Sequence, residues 1–369
     1  MTAALRASVA WSQRADQPDA WREVARMAGV IMNIHGLRQQ IRTPMELVSA
    51  LQRPVGELLE TDTPDEALDA LVLLDEDGCL SEGALDVATD YTFALFDGDA
   101  DPASTWLPAW AWQRDEQVER ALFQSLRAAG DQAVYTATRR FLIDRPAGQR
   151  RHLIDERNTS PAYAGAKAVA EYLDIPKDRR HRPAGSNESY WWPCPVCQWP
   201  MQVRDNAVFC TYSPHEARFI LDAGPGQPAR LRKASSARLK TPKAAAVAGA
   251  VCVDPAVWRF VTVPGLPEIA LTELESTADG ISIQLWPVMD TFDALVEIAG
   301  VGRWTVDVKD HVSVRRIVDD PPAAQHVVVP DYRRSQIPRL RRSLAGKTIW
   351  TVREFMKHVR AVAAGGETR

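Results

Sequence analysis

The stretch Asp293-Ala-Leu-Val-Glu-Ile-Ala-Gly300-Val-Gly302-Arg303-Trp-Thr-Val-Asp307-Val-Lys309 decides the fold. Two β-branched runs flank a Gly-Val-Gly turn, as a hairpin requires. Side chains alternate faces along a strand, so Trp304, Val306 and Val308 are expected toward the core. Asp307 and Lys309 then share the opposite face, with Asp293 beside them at the start of the neighbouring strand. Two carboxylates and an ammonium converging in an otherwise apolar hairpin are costly unless a cation is bound there. A lone Asp-x-Lys tripeptide usually marks only a solvated face of an exposed hairpin. Here thirteen residues also separate it from an Asp across a strong hairpin. Carboxylate oxygens suit Mg2+ or Mn2+ and leave positions for water and a phosphate oxygen. With Lys309 orienting the attacking water and offsetting charge on the phosphorane, the set suits phosphodiester hydrolysis.

Outward from the hairpin, residues 251–369 read as an α/β domain in which short β-branched runs alternate with helical segments. The expected elements are 258–263, a helix near 267–278, and strands near 281–286, 294–299 and 303–309. A short segment near 312–318, a strand over 326–330 and a helix around 335–344 follow. A strand over 347–351 and a helix over 352–364 complete the domain.

Upstream lies Trp191-Trp-Pro-Cys194-Pro-Val-Cys197-Gln-Trp-Pro, a Cys-x-x-Cys knuckle with prolines tightening its turn. Twelve residues separate Cys197 from Cys210, and four more precede His215. Two short loops, each giving a pair of soft or borderline ligands, match a structural Zn2+ site. A redox knuckle would need a thioredoxin-like βαβ context, which is missing. His215 is the weakest ligand, since a surface His after Pro214 is its ordinary reading. The five cysteines of the chain are an odd number, three of them clustered, which argues against a disulfide framework. Residues 166–250 are read as a linker, from Pro176 to Ser189, plus this zinc-ribbon-like module.

Residues 1–165 read as a helical domain. Apolar residues recur at helical spacing over 20–32 and 117–129, and Thr63-Pro-Asp-Glu has the form of a helix start. Trp106, Trp110 and Trp112 form a cluster of the sort that usually fills a core. No catalytic motif occurs in this half. Charge is polarised: residues 1–175 carry 17 basic and 28 acidic side chains (17 − 28 = −11), and residues 176–369 carry 27 and 20 (27 − 20 = +7). A basic half can track a phosphate backbone, and an acidic half suits a protein partner. No apolar run is long enough for a membrane span and no signal peptide is seen, so a cytoplasmic protein is expected.

The Asp293 and Asp307-Val-Lys309 spacing forms the PD-(D/E)xK pattern, and residues 251–369 resemble the restriction-endonuclease-like fold. Phe292 stands where the family name has proline. In that family a helical glutamate often helps bind metal. Glu268 is placed most like it, with Glu273 and Glu275 as alternatives, and Asp290 competes with Asp293. The motifs Trp192-Pro-Cys-Pro-Val-Cys-Gln-Trp-Pro-Met201, Val261-Thr-Val-Pro-Gly-Leu-Pro-Glu268, Leu285-Trp-Pro-Val-Met-Asp290-Thr-Phe-Asp293 and Val306-Asp-Val-Lys-Asp310 resemble the nuclease-fold partner of PIWI-RE proteins. That resemblance implies a DNA substrate, a PIWI/Argonaute-like protein and a DinG-like helicase as partners, and a role in defence against invading DNA. The expected whole is a multidomain α + α/β protein acting as a metal-dependent endonuclease. The rival is an inactive, zinc-stapled adaptor for nucleic acid or protein. An intact Asp293, Asp307 and Lys309 set distinguishes the two, because degenerate copies usually lose one of them.

Overall fold

The structure, a computed structural model, describes residues 1–15, 17–35, 41–58, 66–81, 83–84, 87, 130–168, 172–222, 229–234, 238–312 and 314–365. The expected helix over 117–129, the tryptophans at 106, 110 and 112, and the helix start at Thr63 lie outside the described residues. Packing divides the chain into two compact units, Met1–Gln117 with His311–Arg316, and Val118–Asp310 with Ile317–Arg369.

In the first unit α1 (Thr2–Ser12), α2 (Ala20–His35) and α3 (Pro44–Leu51) enclose a core that includes Leu5, Val9, Val24, Ile31, Leu47 and Leu51. Thr43 caps α3 and Glu46 reaches back to the Thr43 amide, so a capping box fixes where that helix begins. Arg6 is buried and ion-paired with Glu23 of the neighbouring helix.

The second unit holds several sheets. A five-stranded mixed sheet runs in the order β10 (Ile281–Leu285), β11 (Ala294–Ile298), β12 (Gly302–Val308), β13 (His326–Val329) and β14 (Thr348–Thr351). The first three are antiparallel, and β12, β13 and β14 are parallel. Gly300 and Gly302, at φ of 76° and 137°, supply the positive dihedrals that the β11–β12 turn needs. The C-terminal helix Val352–Ala363 starts at a Thr351–Glu354 capping box and buries Phe355, Met356, Val359 and Val362. The Trp304 ring packs on Phe355 and His358 of this helix, so it covers the Trp304 face of β12.

A helical run packs into the same core. It comprises Pro255–Val257, a π-helical turn Trp258–Thr262, and Val263–Ala270, followed by Glu273–Thr277. The segment 258–263, expected among the short β-branched runs, is helical because Asp254 caps the run and Pro255 opens it. The helix Gln132–Asp144, read from sequence with the N-terminal half, packs within the second unit. A Cβ at Gly265 would lie 2.3 Å from Ile143 Cδ1, so only glycine lets these two helices approach so closely. The Thr262 hydroxyl donates to Leu142 O at 3.0 Å and clamps the same pair.

The remaining sheets are β1-β9-β2 (Ala147–Gln149, Ala250–Val253, Tyr172–Asp174), the pair β3-β8 (Tyr190–Trp191, Ala245–Ala246), and an antiparallel β4-β5-β6-β7 sheet (Gln202–Arg204, Ala207–Phe209, Arg218–Asp222, Arg230–Lys233). The polar stretch after Pro176, expected as a linker, is anchored. Arg179 is buried over the Trp199 ring and donates to Pro200 O at 2.6 Å.

Candidate active site and metal cluster

Glu268 is buried on the helix Val263–Ala270. Its Oε2 accepts from Trp286 Nε1 at 2.5 Å and pairs with Arg139 Nη2 at 3.1 Å. The other guanidinium arm of Arg139 pairs with Asp290 at 2.5 Å, and its plane lies 4.7 Å from the Trp286 ring centroid. Among the described residues, no hydrogen-bond partner meets the buried Asp290 Oδ1 or Arg139 Nε. Trp286, Val288 and Asp290 all have positive φ, at 50°, 52° and 81°. Three non-glycine residues in that region, at and within the short helical turn Pro287–Asp290, cost conformational energy, a condition found where a turn must aim side chains.

Asp293 closes this turn. Its backbone oxygen accepts from Trp286 N at 2.9 Å, and its Oδ2 accepts from Val308 N at 2.7 Å. The register pairs Ala294 with Val306, so one step further Asp293 comes opposite Asp307, and the two side chains share a face. Asp307 is buried, and its Oδ2 accepts from Ala324 N at 3.3 Å. On the face that sequence alone left open to solvent, Asp307 is buried and Asp293 and Lys309 are half-buried.

Burial raises the Glu268 carboxyl to about 8, with Arg139 opposing and Asp293 and Asp290 adding to the rise. Burial also raises Asp293 to about 6, against the pull of Lys309. For Lys309, burial acts to lower the pKa, but Asp293, Asp307, Glu268 and Asp290 together outweigh it and hold the value above that of an ordinary lysine. Lys309 is thus a fixed cation, able to donate hydrogen bonds. Of the three candidate glutamates the structure brings Glu268 to Asp293. Glu273 is exposed, and Glu275 is spent on Ile283 N at 2.7 Å. Sequence reasoning missed Arg139, because nothing in Thr138-Arg-Arg-Phe marks a guanidinium destined for a carboxylate 129 residues away.

Cys194, Cys197, Cys210 and His215 are all buried, and their ligand atoms lie within 4.8 Å of one another. His215 Nδ1 is 3.4 Å from Cys210 Sγ and 3.7 Å from Cys194 Sγ. Val196 N and Trp258 Nε1 donate to Cys194 and Cys197 sulfur at 3.4 and 3.3 Å, as donors around metal thiolates do. Gln198, at φ 58°, turns the knuckle. Burial pushes the Cys194 and Cys210 thiols up. It acts the same way on Cys197, yet hydrogen bonds with Cys194, Cys210 and His215 bring that thiol well below its ordinary value. The cluster can hold a metal ion such as zinc. Among the described residues no other group of three or more His, Cys, Asp or Glu brings its ligand atoms this close. The acidic residues converge more loosely.

The chain thus carries a mixed sheet with carboxylates and a lysine on one face, and a Cys3His cluster that can hold a metal ion. Residues 265–367 match the family described as REase associating with pPIWI_RE, and residues 1–149 match pPIWI_RE three-gene island domain Y. The chain belongs to the pPIWI_RE three-gene island, with a REase-associated domain at residues 265–367. Neither a curated protein nor a solved structure matches it. Glu268, Asp290, Asp293, Asp307 and Lys309 lie inside the REase match, while Arg139 comes from the segment matched by domain Y. Among the described residues no helix is long and apolar enough to cross a membrane.

Proposed function

We propose that the chain is a divalent-metal-dependent endonuclease that cleaves DNA in defence, alongside a PIWI/Argonaute-like protein and a DinG-like helicase. In this reading residues 251–369 form a restriction-endonuclease-like domain, and the acidic helical half docks a protein partner. One observation carries the proposal. Asp293, Asp307 and Lys309 share one face of the mixed sheet, with Glu268 of the adjacent helix near them, within the segment that matches the REase family.

The donor set fits a hard cation. Asp293 and Asp307 would hold Mg2+ or Mn2+, with Glu268 assisting and the unpartnered Asp290 Oδ1 close by. Bound there, the cation would acidify a water and screen charge on the phosphate. Val308 N–H and Ala324 N–H fix the Asp293 and Asp307 carboxylates by hydrogen bonds. Lys309, a cation held by four acids, presents its ammonium to the attacking water and the developing charge and does not accept a proton. Zn2+ in the Cys194, Cys197, Cys210 and His215 cluster would be structural, because four protein ligands leave no open position.

One observation favours the adaptor reading: Arg139 already neutralises Glu268 and Asp290, so the acids are partly satisfied without a metal. A cleavage assay with Mg2+ or Mn2+ on single-stranded, duplex and R-loop DNA separates the two. The nuclease reading expects divalent-dependent cleavage, reduced at least about 100-fold by Lys309→Ala, the scale of losing one transition-state charge donor. Cleavage by that variant at the wild-type rate, or none by the wild type with its partners, would establish the adaptor.

A further inference from the structure

The antiparallel sheet that follows the Cys-x-x-Cys knuckle has two faces of different character. Val208, Cys210, Phe219, Leu221 and Leu231 point into the core. Register places Arg204, Ala207, Ile220 and Arg232 in one row across the opposite face, since Arg204 pairs with Ala207, Ala207 with Ile220, and Ile220 with Arg232. The flanking rows hold Phe209 opposite Arg218, and Asp222 opposite Arg230. Arg218, Arg230 and Arg232 are exposed, as is Lys233 at the end of the edge strand. Asp222 is the one acid among the strand positions of this face.

Like charges on neighbouring strands repel, and Arg218 and Arg232 occupy diagonal positions. A face that gathers four guanidiniums around one carboxylate among its strand positions is complementary to a polyanion. Phe209 offers no bare ring for a base, because Arg204 and Arg218 lie over it at 5.7 and 4.7 Å. What the face presents is guanidinium, whose forked donors match phosphate oxygens.

We propose that this outer face of the β4-β5-β6-β7 sheet is a docking surface for the sugar–phosphate backbone of DNA, gripping it without reading sequence. The proposal rests on the nuclease reading for its ligand, and phosphate contacts of this kind position a strand and do not specify it. The test uses the full-length protein with no added divalent cation. Labelled duplex and single-stranded DNA are titrated at several salt concentrations, against wild type and Arg230→Gln/Arg232→Gln. Both replaced side chains are exposed, so melting should be unchanged. The double variant should bind about tenfold or more weakly, and its log K against log salt slope should be shallower by nearly two, at about 0.9 per lost duplex phosphate contact. Arg230→Lys/Arg232→Lys should restore most of the slope.

An unchanged affinity and slope would overturn the proposal. So would poly-glutamate displacing DNA as well as DNA of equal charge does, which would assign the face to an acidic protein. Cleavage measured on the same samples with Mg2+ separates this failure from that of the nuclease. Cleavage with binding untouched by the substitutions refutes the face alone. Weakened binding by the variant, with no cleavage by the wild type, refutes the nuclease alone.

Discussion

The two clusters of the C-terminal unit are built in opposite ways. The Cys3His cluster draws its ligands from Cys194 to His215, a local stretch of knuckle, strand and turn, and its ligand atoms already gather within 4.8 Å. The acid–lysine site draws on Arg139, Glu268, Asp290, Asp293, Asp307 and Lys309, and it contains its own cations. Buried thiols at Cys194 and Cys210 disfavour the thiolate that a metal would bind. Four acids facing a guanidinium and an ammonium are partly neutralised with none. We propose that the first arrangement depends on an ion to hold its structure together, and that the second can form first and receive an ion afterwards.

That difference ranks the expected effects. Cys197→Ser should be the most damaging, because it removes one ligand and the sulfur that accepts from Trp258 Nε1. Metal analysis of wild type should give one zinc per chain, and the variant none. Loss of metal should cost several kcal/mol, since binding energy in such sites is folding energy. The stacked Trp199–Trp258 pair, 4.3 Å between centroids, should report it by fluorescence. Full stability with no bound metal in wild-type protein would erase the contrast drawn here.

Arg139→Gln comes next. It breaks two ion pairs at once and leaves Glu268 and Asp290 facing each other in a buried site. Breaking a buried pair from one side costs about 3–5 kcal/mol. If the site can accept a cation in place of the guanidinium, Mg2+ or Mn2+ should raise the melting temperature of the variant more than that of wild type. Thermal melts with and without the ions measure both effects. An equal shift in the two proteins would mean that Arg139 is only a structural counter-ion.

The same contrast explains what could be read in advance. The knuckle, the turn glycines and the Asp293 to Lys309 hairpin are local patterns, in which spacing fixes which side chains share a face. Strands β10 to β14 follow for the same reason, since each is a short β-branched run with a turn beside it. The layering over the site was not legible. Asp307 is buried against Ala324 N, seventeen residues on, and Arg139 meets Glu268 where the helix Gln132–Asp144 runs close past Gly265. The segment 258–263 misled because Trp, Phe and Val suit a strand, whereas Asp254 and Pro255 start a helix ahead of them. The signal that could have found Arg139 is weak: an arginine amid the apolar positions of a helix asks for a buried acid.

The smallest expected effect tests whether the two clusters are independent. Tyr212 lies edge-on to His215, 4.8 Å between ring centroids, and its hydroxyl donates to Asp310, the residue after Lys309. Asp310 is almost fully buried and is held also by Tyr332 at 2.5 Å and by Arg333 Nε at 3.0 Å. A chain of contacts thus runs from a ligand of the soft site to the strand end that aims Lys309. Tyr212→Phe keeps the ring against His215 and removes one of three donors to Asp310. Losing one hydrogen bond of this kind should cost about 1–2 kcal/mol. If Asp310 fixes the end of β12, cleavage should fall a few-fold while zinc content stays at one per chain, because Lys309 loses part of its support and the metal loses none. Unchanged cleavage with unchanged zinc would show that Tyr332 and Arg333 suffice, and that the two sites share a domain without sharing a mechanism. Loss of zinc would show instead that the coupling runs backward, from the acidic strand into the cluster.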